Sequence, residues 1–321
     1  MLHVPLTLVT SVATMLLHRM SWNWQAARVP CYPRYSKKEA LMNIGISLFS
    51  GRQPVDAAVV AQKAEALGFD SLWLGEHPVI PVHSSSPAPG TSGGSIPDFY
   101  SRLVDPFVAL ARASAVTTKL KLGTGITLIP ERNPLLLAKE VATLDYFSKG
   151  RFLFGIGAGW NKEETEIMGG NFAHRWTQTR EAIEAMQALW ANEAAEYHGT
   201  YYDFPLVRSF PRPVQQPHPP IFLGGVAQQV FKRIVAYGTG WMPTRSTPEL
   251  IRQGRAVLNE LAVEAGRDPK SITVLAYIAP AERAVLQSLA EAGADAAVVR
   301  LEGESEAAAL TRLEQLAQEV L

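Results

Sequence analysis

The run "GRFLFGIGAGWNKEE", Gly150 to Glu164, decides the fold. Its apolar half, Phe152, Leu153, Phe154 and Ile156, passes directly into glycine at every second position, Gly155, Gly157 and Gly159. Trp160, Asn161 and the acids Glu163 and Glu164 follow. A strand that dissolves into glycine before a helix lets another group approach its backbone. A Rossmann loop is one such case, but its fingerprint is G-x-G-x-x-G with an acid at a strand end about 20 residues on. The spacing here differs, and Glu181, near that distance, lies inside a strongly helical run. The nicotinamide reading fails on both counts.

Outward from this stretch, short β-rich runs alternate with longer helical ones from Met42 to the C-terminus. Before it come the strands "NIGISLF" (Asn43–Phe49), "DSLWLGEH" (Asp70–His77) and "LKLGTGITLI" (Leu120–Ile129). After it come "PIFLGG" (Pro220–Gly225), "GWMP", "SITVLAYIA" and "DAAVVRL". Each precedes a helical segment, and "EYHGTYYDF" reads as a small hairpin outside the main sheet. Strict βα alternation implies a parallel sheet. Eight units over about 280 residues match a (β/α)8 TIM barrel with insertion loops better than a doubly wound sheet. The opening stretch is then the fourth barrel strand.

A barrel places its chemistry at the carboxyl ends of the strands. The residues there are Glu76 and His77, Thr124 to Ile126, Gly157 to Asn161, Gly224 to Val226, and Met242 to Arg245. Glycine-bearing ends recur at "LGTG", "GIGAG" and "FLGG". They serve either as turns into helices or as backbone against which a flat or phosphorylated ligand lies. His77 follows Glu76 at such an end, where a residue that changes charge near neutral pH suits proton transfer. Asn161 reads either as a ligand-binding amide or as the N-cap of the next helix. Arg132, Arg175 and Arg245 are the cations for an anionic tail. Pro78–Leu103 is about 26 residues rich in Ser, Pro and Gly with no evident element, which marks a cover or binding loop.

Other classes are excluded by composition and spacing. With 30 basic and 30 acidic residues, the chain lacks the basic footprint of a nucleic-acid binder. Cys31 is the only cysteine, so no internal disulfide or thiolate metal cluster forms, which suits a cytoplasmic protein. Neither HxH nor HExxH occurs, and no metal site is expected. A G-x-S-x-G nucleophile elbow is missing too. Residues 1–41 differ in character from the rest. "LTLVTSVATMLL" is too short to span a bilayer and lacks a basic start, so this segment reads as an extension outside the 42–321 domain, without stable membrane association.

Four blocks, "GFDSLWLGEHPVIPV", "LGTGITLIPERNPLLLAKEVATLD", "GRFLFGIGAGWNKEE" and "PVQQPHPPIFLGG", together resemble the bacterial luciferase-like monooxygenase superfamily, and within it the F420-dependent oxidoreductases. The resemblance covers about Met42 to Leu321. It implies a luciferase-like barrel holding deazaflavin F420, or alternatively FMN, at its carboxyl face. It implies a non-prolyl cis peptide at Gly125–Ile126, in a bulge with Thr124 behind the cofactor ring, and His77 at the reactive ring edge with Glu76 as its tuning neighbour. Gly157, Ala158, Gly159 and Asn161 would follow the ring and side chain. Gly224, Gly225 and Val226, with Arg245, would meet the phosphate region. Ala158 stands where the family's sugar-phosphate dehydrogenases keep a glutamate proton donor, which argues against sugar-phosphate oxidation. Thr239 replaces the acid often found before "GW" and is assigned no chemistry. The implied activity is hydride transfer to or from a small organic substrate by a chain that commonly forms a homodimer. The FMN alternative is a two-component monooxygenase supplied by a reductase partner.

Overall fold

The computed structural model describes residues 42–50, 53–88, 96–244 and 246–321. The extension at 1–41, Arg245 and the centre of the long insertion (89–95) lie outside the described residues. From the start of the domain the elements run β1 (Asn43–Ser50), α1 (Ala57–Leu67), β2 (Ser71–Leu74), α2 (Pro106–Val116), β3 (Lys121–Thr124), β4 (Thr127–Leu128) and α3 (Pro134–Ser148). Then come β5 (Phe152–Gly157), α4 (Lys162–Ile167), α5 (Arg175–Ala191), β6 (Ala195–His198) and β7 (Asp203–Val207). The chain ends with β8 (Ile221–Gly224), α6 (Gln228–Tyr237), β9 (Gly240–Met242), α7 (Pro248–Glu264), β10 (Thr273–Ala279), α8 (Arg283–Glu291), β11 (Ala296–Gly303) and α9 (Glu306–Val320).

The sheet runs β3-β2-β1-β11-β10-β9-β8-β5 and closes through a β3–β5 pairing, so it is a parallel eight-stranded barrel with helices outside. The expected hairpin is present as the antiparallel pair β6–β7, outside the barrel sheet. Local sequence dictates most helix starts. Asp56, Asp105, Asn133, Asn161, Thr247 and Ser305 each accept a backbone N–H from the first turn of the helix they precede. Pro106, Pro134 and Pro248 open three of these helices, where a missing N–H costs nothing.

Two apolar layers result. The larger packs the helices on the outer faces of the strands. The smaller fills the barrel with Trp73, Leu153, Phe222, Met242, Leu275, Tyr277, Ala296 and Val298. Trp73 stands edge-on to Phe222 at 5.8 Å and to Tyr277 at 6.1 Å, so the interior is a packed plug rather than a channel. Two sequence features resolve into supports for this frame. Gln215 of the "PVQQP" block donates to Asp145 on α3 and to the carbonyl of Phe152, and Asp145 also accepts the Val214 and Gln215 N–H groups. Thr239, where an acid is common, accepts the N–H of Ile221 at 2.7 Å and joins β8 to the start of β9. Pro78–Leu103 differs from expectation in one respect, since its end forms a 3-10 turn over Asp98–Arg102.

Candidate active site

Leu120–Ile129, expected as one strand, is two. Gly123 pairs with Leu153 and Thr127 with Ile156, so four steps on the third strand face three on the fourth. The extra residue is a β-bulge, and the Gly125–Ile126 peptide within it is cis. A second bulge lies on β10, where Tyr277 and Ala279 pair with consecutive residues and Ile278 takes φ 54° between them. The two bulges are joined at the rim. The Tyr277 hydroxyl bonds the Gly125 carbonyl at 2.9 Å and lies 2.7 Å from Ser47 Oγ. Thr124 is buried, and its hydroxyl donates to the Gly155 carbonyl at 2.8 Å.

This arrangement explains the glycines of the fourth strand. A Cβ at Gly155 would stand 2.0 Å from the Thr124 carbonyl oxygen, and one at Gly157 would stand 2.1 Å from Ile126 Cδ1. Both make room for the neighbouring bulge. Gly159 differs, because its φ of +78° turns the chain toward α4. Ala158 between them is buried and brings no acid to the rim.

His77 sits three residues past the end of β2, with its side chain 6% exposed. Its Nδ1 is 2.6 Å from Oε2 of Glu164, the third residue of α4. The Trp160 indole N–H points at Nε2 from 3.3 Å. An N–H donor there requires a lone pair on Nε2, so the ring proton belongs on Nδ1, facing the carboxylate. Trp160 and Tyr100 both meet the imidazole edge-on, at 5.5 and 4.9 Å. One nitrogen is thus held by a carboxylate, and the other is the ring's proton acceptor.

Glu76 bonds elsewhere. Its Oε2 accepts the Leu128 N–H at 2.8 Å and its Oε1 accepts Arg132 Nε at 2.6 Å, so it ties the chain before His77 to the far side of the bulge. Burial pushes its carboxyl up while the Arg132 guanidinium pulls against it. Arg132 also bonds Asp105 and Glu140 and lies over the Phe107 ring, so its charge is already committed within the protein. Arg175 donates to the Phe172 carbonyl and stacks on the Phe172 ring at 4.0 Å, with its Nε left without a partner.

Asn161 is buried, and its side-chain oxygen caps α4 by accepting the Glu164 N–H at 3.1 Å. Its amide nitrogen has no partner, nor does Glu164 Oε1 or Glu131 Oε2. The long insertion returns to this corner at both described ends. Ser84, Ser85 and Ser86 bond Glu163, whose carboxyl these donors hold down at about 2. Tyr100 and Phe99 complete an aromatic wall running from Phe49 to Trp160. A cavity of about 450 Å³ opens beside His77 between the starts of α2 and α3, lined by Glu76, Leu103, Glu131, Arg132 and Leu136 among others.

Across the rim, Gly224 is half-buried and Gly225 and Val226 are exposed. A Cβ at Gly224 would make ordinary van der Waals contact at 3.8 Å with Ile126 and the Met242 carbonyl, so the end of β8 lies directly against the bulge. The helix that follows, α6, has Ala227 as its N-cap and no side chain bonded to its first turn, whose N–H groups are those a helix start leaves for other acceptors. The described residues therefore fit a planar ring with an anionic tail.

The sequence reading singled out His77 and Asn161 and included Trp160 in the rim loop without a role, but it gave none to Glu164, Glu131 or Tyr100. The first of these carried a signal: Asn161 as an N-cap fixes Glu164 as the third helical residue, turned back toward the rim. Glu131 and Tyr100 lie 54 and 23 residues from His77 along the chain, and no spacing rule connects them. Among the described residues no helix is long and apolar enough to cross a membrane, and no group of three acidic, histidine or cysteine side chains could hold a metal ion.

Comparison with known proteins follows the same lines. An uncharacterized protein of Mycobacterium tuberculosis is 38% identical over 71% of this chain and 80% of its own length. The oxygenase component of a flavin-dependent trigonelline monooxygenase from Acinetobacter baylyi is 32% identical over 51% of this chain and 41% of its own. Among solved structures, the coenzyme F420-dependent tetrahydromethanopterin reductase of Methanopyrus kandleri superposes with a TM-score of 0.67 at 20% identity, covering 88% of this chain and 99% of that one. The model of the luciferase-like monooxygenases matches residues 42–318. With that match laid over a closed parallel barrel bulged at its third strand, the chain belongs to the luciferase-like monooxygenase family.

Proposed function

We propose that this oxidoreductase is F420-dependent and transfers a hydride between the deazaflavin and a small organic substrate. The observation that carries this reading is the His77–Glu164 pair at the end of β2, 2.6 Å apart and almost fully buried. The deazaflavin, when bound, supplies an obligate two-electron hydride carrier, which leaves the protein to orient the partners, exclude water and move one proton.

The side chains present suit those tasks. His77 Nε2, with the ring proton on Nδ1 held by Glu164, accepts a proton from an alcohol-type substrate that displaces the Trp160 indole N–H from this nitrogen, and returns it in the reverse direction. Glu164 stabilises the imidazolium formed in between, which fixes the ring's orientation throughout. The bulge at Gly125–Ile126 offers a flat backbone face, held from below by Tyr277 and Ser47. Gly224, Gly225 and the amide groups at the start of α6 receive the anionic tail. Tyr100, Trp160 and the insertion behind them keep water from the imidazole edge. General acid–base groups of this kind contribute about 10²- to 10⁴-fold to rate.

A second reading is an FMN-dependent monooxygenase fed by a reductase, supported by the likeness to the trigonelline monooxygenase component. Parallel fluorescence titrations of the purified protein with oxidised F420 and with FMN separate the two. Tight F420 binding with weak FMN binding is the expected outcome, and the opposite order sinks the F420 reading.

A further inference from the structure

Behind His77 and Glu164 lies a third acid that the hydride-transfer scheme does not use. Glu131 is 4% exposed and belongs to the turn after β4. Its Oε1 is 3.0 Å from Thr165 Oγ1, and Thr165 Oγ1 is also 2.9 Å from the Asn161 carbonyl. A hydroxyl has one proton. If Thr165 gives it to the carbonyl four residues back, as helical threonines do, the Glu131–Thr165 contact needs its proton from Glu131. The remaining oxygen, Glu131 Oε2, is buried without a donor, and so is Glu164 Oε1 on the neighbouring residue of α4. Two buried carboxylates that feel each other's charge, each with an orphaned oxygen, do not both keep a negative charge, and a single proton on Glu131 relieves the repulsion between them.

We propose that Glu131 is a positioning residue, a neutral carboxylic acid at working pH whose proton confines the cluster's negative charge to Glu164 and so holds Glu164 Oε2 on His77 Nδ1. The groups around it favour this assignment. Glu164 faces it from α4, Glu76 from the end of β2, and Arg132, its chain neighbour, is bonded to Glu76, Asp105 and Glu140 instead. Burial, followed by the Glu164 charge, pushes the Glu131 carboxyl up to about 8. Glu131 also lines the cavity beside His77, which gives its proton access to solvent. Whether that proton points to Thr165 or to Glu164, the net charge beside His77 is the same. Above the transition a second negative charge appears behind Glu164, and the His77–Glu164 contact loses its partner's fixed orientation.

The role rests on His77 acting in the reaction, but its test needs neither cofactor nor substrate. Difference infrared spectra of the full chain are recorded from pH 6 to pH 10 for the wild type and Glu131→Gln. In parallel, the nitrogen resonances of the His77 ring are followed, assigned by their loss in His77→Gln. The expected result is a protonated-carboxyl band lost with a midpoint near pH 8, missing in Glu131→Gln, with the His77 resonances shifting over the same range only in the wild type. A wild type without that band at pH 6 overturns the proposal, and so does a band whose loss leaves the His77 resonances unmoved. Should Glu131→Gln fail to fold, Glu131→Asp takes its place: it is expected to move the midpoint of the band and of the His77 shifts together, and a variant that moves neither overturns the proposal. A positive titration in a protein that binds FMN and not F420 refutes the cofactor assignment while leaving Glu131 in its role.

Discussion

At the scale of single residues, two glycines of the fourth strand look equivalent in sequence and differ in what they face. A methyl group at Gly155 would meet a backbone oxygen, that of Thr124, inside the closed barrel, where only a shift of the strand gives relief. A methyl at Gly157 would meet the tip of Ile126, which can turn away. Gly155→Ala is therefore expected to lower stability by about 1–3 kcal/mol, the usual penalty of overpacking, measurable by denaturant unfolding. Gly157→Ala is expected to keep its unfolding midpoint and to weaken cofactor binding, because Ile126 forms the face of the bulge. Equal destabilisation by both substitutions would contradict this distinction. His77 and Glu164 divide in a similar way. His77→Ala should cost about 10²- to 10⁴-fold in kcat by removing the proton acceptor. Glu164→Gln keeps a bond to the ring but loses the charge, so a smaller loss is expected, confined to kcat with KM unchanged.

Elements were more legible than contacts. The βα alternation, the outlying hairpin and the capped helix starts all follow from local patterns of apolar period, glycine and N-cap residues, which act over a few positions. The alternation of "LKLGTGITLI" does not show the split of the third strand, because a bulge adds one residue without altering it; the bulge and the cis Gly125–Ile126 peptide were expected only from the family resemblance, and both are present. The acidic cluster behind His77 was invisible for a different reason. Glu131, Glu164 and Thr165 meet only because β4 and β5 pair and α4 turns back over them, a consequence of barrel closure that no local window contains. The insertion between β2 and α2 makes the same point. Its composition marked it as a cover, but its anchor, Glu163 holding Ser84 to Ser86, is set by the start of α4. Glu163→Gln weakens four bonds at one half-buried carboxylate. Limited proteolysis should then cut within residues 78–103 faster than in the wild type, with the barrel core still intact. An unchanged cleavage rate would mean that the insertion is held without Glu163, by the bonds of Ser84 to Asn161 and of Lys162 N–H to Ser86 and by the aromatic contacts of Phe99 and Tyr100.

For the whole molecule, the buried carboxyl at Glu131 makes folding sensitive to pH in a defined direction. Its value in the folded protein, about 8, stands above the ordinary 4.5 because burial and the Glu164 charge disfavour the anion. Between those two values the folded chain holds a proton that the unfolded chain has released. Fewer protons on the unfolded state mean that stability falls as pH rises, so this contribution is complete below about 4.5 and lost through about 8. The loss runs at about 1.4 kcal/mol for each pH unit across the window. Surface carboxyls act at the other end. Asp56, held down by Arg112, and Glu163, held down by the serines, lose their bonds only as pH drops below the ordinary carboxylate range. The two effects act at separate ends of the pH range, the loss at Glu131 above the ordinary carboxylate range and the loss at Asp56 and Glu163 below it. Thermal unfolding midpoints should therefore decline from pH 6 to pH 9 in the wild type. Glu131→Gln, which cannot ionise, should flatten that decline while leaving the fall at low pH in place. A wild type as stable at pH 9 as at pH 6 would show that the cluster sheds its proton without cost, and that Glu131 is solvated in a way its burial does not allow.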